Sequence, residues 1–190
     1  MPERLKHFGS RIFSHPVGVL YSLGVLDEVF ENRIITDLSK ISDSNSRKRQ
    51  HFNLHKNFNE KCQVLINFLK YDTYIRPHNH SDSMKSEYIF CLMGEVGIAA
   101  FNQNGDILEK HILKPLSGNA LKASEAFCIK FTPKTYHTVL CLSDEAVILE
   151  VKEGPFDNTK AKKFAKWSFS DDNAKSKLFL QNLKQKIIKS

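Results

Sequence analysis

From Cys62 to Glu153 the sequence is a succession of short apolar runs with turn residues between them. CQVLINFLK, TYIR, SEYIFCLMG, VGIAAFN, DILEKHIL, EAFCIKF, HTVLCL and AVILEVKE each run about 4 to 9 residues. No helical periodicity separates them, so crossover helices are missing and a parallel α/β sheet is excluded. A sandwich or small barrel of antiparallel strands remains. Asn104-Gly105, between GIAAF and DILEKHIL, is a hairpin signal, because both central positions of a type I′ turn need positive φ. The fold class expected is all-β.

The chemistry concentrates in Arg76-Pro77-His78-Asn79-His80, followed by Glu87 and Gly94. Residues i and i+2 of a strand face the same side, so His78 and His80 can both turn their imidazoles into a barrel and share one metal ion. Glu87 opens the next strand on the face of Ile89, Cys91 and Met93 and can add a carboxylate. Two histidines and a carboxylate on adjacent strands form a facial set with open positions for substrate. His137, in TPKTYHTVLCL, starts a strand whose Val139 and Cys141 share its face, and is the fourth candidate ligand. A lone HxH would be weak, since surface histidine pairs are common; the spacing HxH-x6-E-x6-G followed by a later Pro-turn-His strand is far more specific.

These residues resemble the cupin superfamily. His78, His80, Glu87 and Gly94 match its first motif, with the Glu spaced wider than usual. The second motif, PxGxxH, corresponds to Thr132-Pro133-Lys134-Thr135-Tyr136-His137: the His is kept, Thr132 stands for the Pro and Lys134 for the Gly. Asp72 replaces the Gly that normally precedes the first His. These departures touch turns, not ligands. A narrower similarity joins RKRQHFNLH (Arg47–His55), YIRPHNH, SEYIFCLMGEVGIAAFNQNGDILEK, TYHT, EVKEGPFD (Glu150–Asp157) and KKFAKWS to the WbuC-type cupin metalloproteins of bacterial O-antigen and surface-polysaccharide gene clusters. It covers roughly residues 34–185. The resemblance implies a cupin (double-stranded β-helix, or jelly-roll) barrel holding one divalent transition metal ion, Zn, Fe, Mn or Ni, but no particular reaction.

Around this centre, Arg47, Arg49, His51, Asn53 and His55 alternate along one face of an extended segment. They form either a lid strand donating to an anionic substrate or a solvated edge strand. Arg76 shares its parity with Tyr74, so both line the barrel or both face out. Arg47, Arg49, Arg76 and Tyr136 are the candidate substrate-binding residues. Tyr136 and Lys152 are conceivable acid/base groups, against the simpler reading of packing at the core rim.

The chain has 190 residues, with 28 Lys and Arg against 21 Asp and Glu, a formal charge of +7. Much of the excess lies at Arg47-Lys48-Arg49 and in the lysines of the last thirty residues. Without a basic stripe interleaved with aromatics, or a reading motif, nucleic acid is not an expected partner; attraction to anionic small molecules is. Cys62, Cys91, Cys128 and Cys141 lack the paired spacing of a zinc ribbon and read as reduced, small apolar residues. No apolar run reaches the roughly 18 to 20 residues that span a bilayer. Val17–Leu26 runs into Asp27-Glu28 without a small-residue cleavage pattern, so it does not read as a signal peptide, and a cytoplasmic location is expected.

Three regions follow: an N-terminal extension and linker over 1–45, with Ser39–Ser46 a loop by composition; the barrel over 46–158; and a C-terminal segment over 159–190. In the last, Ser170-Asp171 can cap an amphipathic helix carrying Leu178, Phe179, Leu183 and Ile187 on one face. Residues 1–33 are apolar enough to need a partner surface, which points to a homodimer. With the resemblance, the functional expectation is a metal-dependent enzyme, of isomerase or epimerase type, acting on an anionic sugar or sugar-nucleotide intermediate of bacterial surface-polysaccharide (O-antigen) biosynthesis. The alternatives are a non-heme iron oxygenase and a non-catalytic sugar-binding or regulatory module.

Overall fold

Two of the apolar runs form the backbone of one sheet. Cys62–Lys70 (β3) and Glu145–Glu153 (β10) pair antiparallel along all nine residues, from Glu145 opposite Lys70 to Glu153 opposite Cys62. The computed structural model describes residues 20–21, 32–116 and 125–189. Outward from β3 lie Arg49–Asn53 (β2) and Leu20–Tyr21 (β1); outward from β10 lie Glu87–Met93 (β5) and Cys128–Phe131 (β8), giving the order β1-β2-β3-β10-β5-β8. The second sheet takes the remaining strands: Lys163–Phe164 (β11), His78–Asn79 (β4), Tyr136–Cys141 (β9), Val96–Phe101 (β6) and Ile107–Leu113 (β7), in that order. From β3 to β6 each strand lies in the opposite sheet to the one before it, and β7 to β11 repeat that alternation. The result is the all-β jelly-roll barrel expected from the sequence, with a helix after it.

Alternation along the strands sorts side chains into three clusters. Between the sheets lie Leu69, Ile89, Cys91, Ala146 and Ile148 from one and Val96, Ile98, Leu113, Val139 and Cys141 from the other. Outside the first sheet, Phe52, Ile66, Phe68 and Val147 pack under Leu38. Outside the second, Ala99, Phe101, Tyr136 and Leu140 pack under Leu180, Leu183 and Ile187. Strand β6 is covered on both faces and all six of its residues are buried, which is why VGIAAF shows no polar alternation.

Several expectations change. Residues 39–44 are not a loop: Arg33–Ser44 form a helix (α1) that buries Leu38 and Ser42 and leaves Asp43 and Ser44 exposed. Lys70 anchors this helix through Asp43 (2.9 Å), Ser39 Oγ (3.1 Å) and, on the barrel, Glu145 (2.5 Å). Helix α2 spans Lys175–Ile188, several residues beyond Ser170, whose hydroxyl instead donates to Asp172 within a preceding turn. Leu178 is 60% exposed, and Leu180 takes its place in the buried stripe. Thr73–Arg76 is not a strand. The β6–β7 hairpin is not a two-residue turn: Gly105 has φ +95° but Asn104 does not, and Asn102 Oδ1 accepts from the backbone of both Asn104 and Asp106. Met93 leaves the inner face, because the β5–β10 register shifts between Val147 and Ile148. The second sheet also reaches past residue 158, since β11 pairs with β4. The apolar stretch over 1–33, on which the dimer expectation rests, lies almost wholly outside the described residues.

Gly94, the motif glycine, closes the turn between β5 and β6 at φ +74°. A Cβ there would stand 2.2 Å from the Glu145 carbonyl oxygen, so no other residue fits. Among the described residues no helix is long and apolar enough to cross a membrane. All four cysteines are free; Cys91 and Cys141 are buried, Cys128 is half-buried and Cys62 is exposed.

Candidate metal centre

The topology brings His78 and His137 face to face, because their Cα atoms are register partners of β4 and β9. His80 follows β4 by one residue, and Glu87 opens β5 in the opposing sheet. All four side chains are buried, and one ligand atom from each falls in a group whose members lie within 4.8 Å of one another. His80 Nε2 stands 2.9 Å and His137 Nε2 3.1 Å from the same oxygen, Oε2 of Glu87. The Phe131 ring stacks on His137 at 3.8 Å and sets its plane.

Each imidazole is oriented by its far side. His78 Nδ1 lies 2.9 Å from the Arg76 carbonyl, His80 Nδ1 2.7 Å from that of Ala161, and His137 Nδ1 2.9 Å from that of Thr135. A carbonyl can only accept, so each Nδ1 carries the proton and each Nε2 presents a lone pair to the centre. Three lone pairs and a carboxylate oxygen pointing at one another repel until a cation lies among them. Opposite ligands of a transition metal stand about 4.2 Å apart at bond lengths near 2.1 Å, so the cluster is close to the required size. Protonated Nδ1 on a backbone carbonyl is also how metal-bound histidines are held. The residues fit a divalent metal ion.

The carboxylate has its own support. Lys152, whose Cα is the register partner of Glu87, reaches Glu87 Oε1 at 2.7 Å and Glu150 Oε2 at 2.7 Å, while Asn67 Nδ2 donates to Glu150 Oε1 at 2.9 Å. Burial would raise the Glu87 pKa, but the Lys152 ammonium beside it opposes this, and the carboxyl is held well below the usual range. Burial likewise pulls Lys152 down, and the Glu150 and Glu87 carboxylates reverse this, so it stays protonated. His78 is kept neutral by burial and then by the charge of Lys162.

The centre opens into a cavity of about 550 Å³. Arg47, Arg49, His51, Asn53 and His55 all line it, and β2 lies between β1 and β3, not at a solvated edge. Burial, then the charges of Arg47 and Lys152, lower His51 to about 3 and keep its ring neutral. Arg49 binds the Tyr74 carbonyl and reaches Asp171 at 3.4 Å. Arg76 also lines the cavity: it donates to Ser168 Oγ (2.9 Å), and its guanidinium lies 4.6 Å from the Phe164 ring centroid. Its parity partner Tyr74 instead packs with the cluster under α2, hydroxyl on the Phe169 carbonyl at 2.8 Å.

Tyr136 is not brought to the cavity. It precedes His137 on β9, so alternation turns it outward beside Trp167, 6.4 Å between ring centroids, and it leaves the candidate set. Three participants were not singled out from the sequence as a unit: Glu150, Lys152 and Asn67. The visible signal was Ile148, Glu150 and Lys152 at i, i+2, i+4 in β10, which sets two charged groups on the inward face of an apolar strand. The sequence points to no site residue in the C-terminal segment, yet Ala161, Lys162, Phe164 and Asp171 line the cavity.

A family model described as a domain of unknown function (DUF6016) matches residues 30–113, the stretch from α1 through β7 that holds His78, His80 and Glu87 but not His137. No curated protein matches the chain. Among solved structures, KdgF from Halomonas sp. is 12% identical with a TM-score of 0.44, over 58% of this chain and 83% of that one. The oxalate decarboxylase formate complex of Lactobacillus farciminis is 16% identical with a TM-score of 0.41, over 56% and 28%. The capsular polysaccharide assembling protein CapF from Staphylococcus aureus is 20% identical with a TM-score of 0.44, over 61% and 31%. At such identities and scores these likenesses say nothing about ligand or reaction.

Proposed function

We propose that this chain is a WbuC-type cupin metalloenzyme acting on an anionic, sugar-derived intermediate of bacterial surface-polysaccharide synthesis. The observation that carries the reading is the convergence of His78, His80 and His137, each with Nδ1 tied to a backbone carbonyl, on Glu87 at the floor of a large cavity. When bound there, a divalent ion supplies Lewis acidity toward a carbonyl or hydroxyl of the substrate. The three imidazoles and Glu87 Oε2 would hold it, while Lys152 occupies Glu87 Oε1 and leaves one carboxylate oxygen free for the centre. Arg47, Arg49 and Arg76 on the cavity wall favour a ligand bearing phosphate or carboxylate, since guanidinium groups suit those anions. The wall also carries acids, but Asp171 is directed at Arg49, Glu87 and Glu150 at Lys152, and Asp157 at Lys160, and among the described residues neither Arg47 nor Glu153 makes an ion pair.

The test is metal analysis of protein purified without a nickel column, then titration of the metal-loaded protein with UDP-glucose, glucose 1-phosphate and glucose. Binding of the anionic compounds at least tenfold tighter than glucose supports the reading. Equal binding of all three contradicts the preference for an anion, and a protein that takes up no metal contradicts the metal centre.

A further inference from the structure

Three phenylalanines line the cavity; Phe58 and Phe156 pack on each other with 4.8 Å between ring centroids, which leaves Phe164. Phe164 lies on β11, its Cα the register partner of metal-centre residue His78, with 6.4 Å between their ring centroids. It lines the cavity yet is 46% exposed. The guanidinium of Arg76, fixed by Ser168, sits 4.6 Å from its centroid. Lys162 stands two residues earlier, and it too lines the cavity, whereas Lys163 between them pairs with Asp82 at 3.2 Å. The i, i+2 relation of an extended segment therefore places an ammonium and an open aromatic ring side by side on one wall.

Lys162 makes no ion pair or side-chain hydrogen bond among the described residues. Its electrostatic surroundings include the cations of Lys152 and Arg49. Desolvation and the Lys152 charge lower its pKa to about 8 against the opposing pull of Glu150 and Glu87, while the residue stays exposed enough for an anion to reach it. An exposed ring backed by a guanidinium is a stacking platform for a planar ring, and stacking of this kind tolerates any base.

We propose that Lys162 and Phe164 form a nucleoside-phosphate subsite beside the metal centre, Lys162 taking the phosphate and Phe164, steadied by Arg76, stacking on the base. This rests on the reading of the cavity as a site for an anionic ligand and narrows it to nucleotide-linked compounds. A cavity of about 550 Å³ lies within the usual range for ligands of that size.

The metal-loaded full-length protein is titrated calorimetrically with uridine and adenosine 5′-monophosphates, with ribose 5-phosphate as the base-free control. The nucleotides are expected to bind at least tenfold tighter than ribose 5-phosphate. Phe164→Ala should bring them down to the ribose 5-phosphate level without moving that control, and Phe164→Trp should keep the difference. Lys162→Ala should weaken all three about tenfold, with metal content unchanged in every variant. Equal affinity for nucleotides and ribose 5-phosphate, or a difference that survives Phe164→Ala, overturns the subsite while leaving the anionic reading intact. Failure of all three compounds to bind overturns both.

Discussion

His137 Nε2 stands 3.1 Å from Glu87 Oε2, although 50 residues separate the two in the chain. The contact exists because β9 and β5 belong to opposite sheets and both residues face the space between them. It ties the second histidine motif to the first and makes one centre of two sequence fragments.

The first prediction concerns acid. His51 has a folded pKa of about 3 against an ordinary 6.5, so the unfolded chain binds the extra proton more readily. Its contribution to stability is complete above about pH 6.5 and is lost as the pH falls from there toward 3. Denaturant titrations of wild type should show an acid limb worth on the order of a few kcal/mol across that window. In His51→Gln the limb should be shallower, and an unchanged limb would count against a neutral, desolvated His51.

Next is the basic wall. Arg49→Ala should weaken an anionic ligand such as glucose 1-phosphate by about tenfold or more, the scale of one charged hydrogen bond, with metal content unchanged. Affinity in wild type should fall as salt rises. If the substitution and added salt both leave binding as it was, the arginines do not contact the ligand.

Helix α1 should contribute to the stability of the barrel. Leu38 is 1% exposed and packs against Phe52, Phe68 and Val147 from β2, β3 and β10. Leu38→Ala should cost about 2–5 kcal/mol in a single cooperative unfolding transition. A cost near zero would mean that the helix is not docked.

Much of this could be read from the residues. Seven of the eight apolar runs became strands, since alternation and turn chemistry act locally and survive packing. The histidines were visible because HxH spacing and strand parity together fix direction. Other features depended on pairing that no single segment shows. Residues 39–44 look like a loop by composition but complete a helix that buries Leu38 and Ser42, tertiary contact overriding the weak helix preference of Ser and Asp. Met93 changed faces because of an irregularity between two strands far apart in sequence. Tyr136, a candidate for substrate binding, is turned outward by strand parity because it precedes His137 on β9. The Glu150–Lys152 pair became meaningful only once β10 lay beside β5.

The apolar N-terminal stretch gives a prediction from sequence alone. Ile12, Phe13, Val17, Val19, Leu23 and Val25 need a partner surface, so the full chain should be a homodimer. A chain starting at Asn32 keeps α1 whole and should be monomeric or less soluble by sedimentation. Unchanged mass and solubility would contradict the dimer.

The most direct test of the metal centre is the metal content of the purified protein, measured by elemental analysis beside the His78→Ala, His80→Ala double variant. Wild type should hold about one divalent transition metal ion per chain, and the double variant none, while its circular dichroism remains that of the folded barrel. Full occupancy in the double variant, or a wild type that holds no metal even after reconstitution, would contradict the assignment.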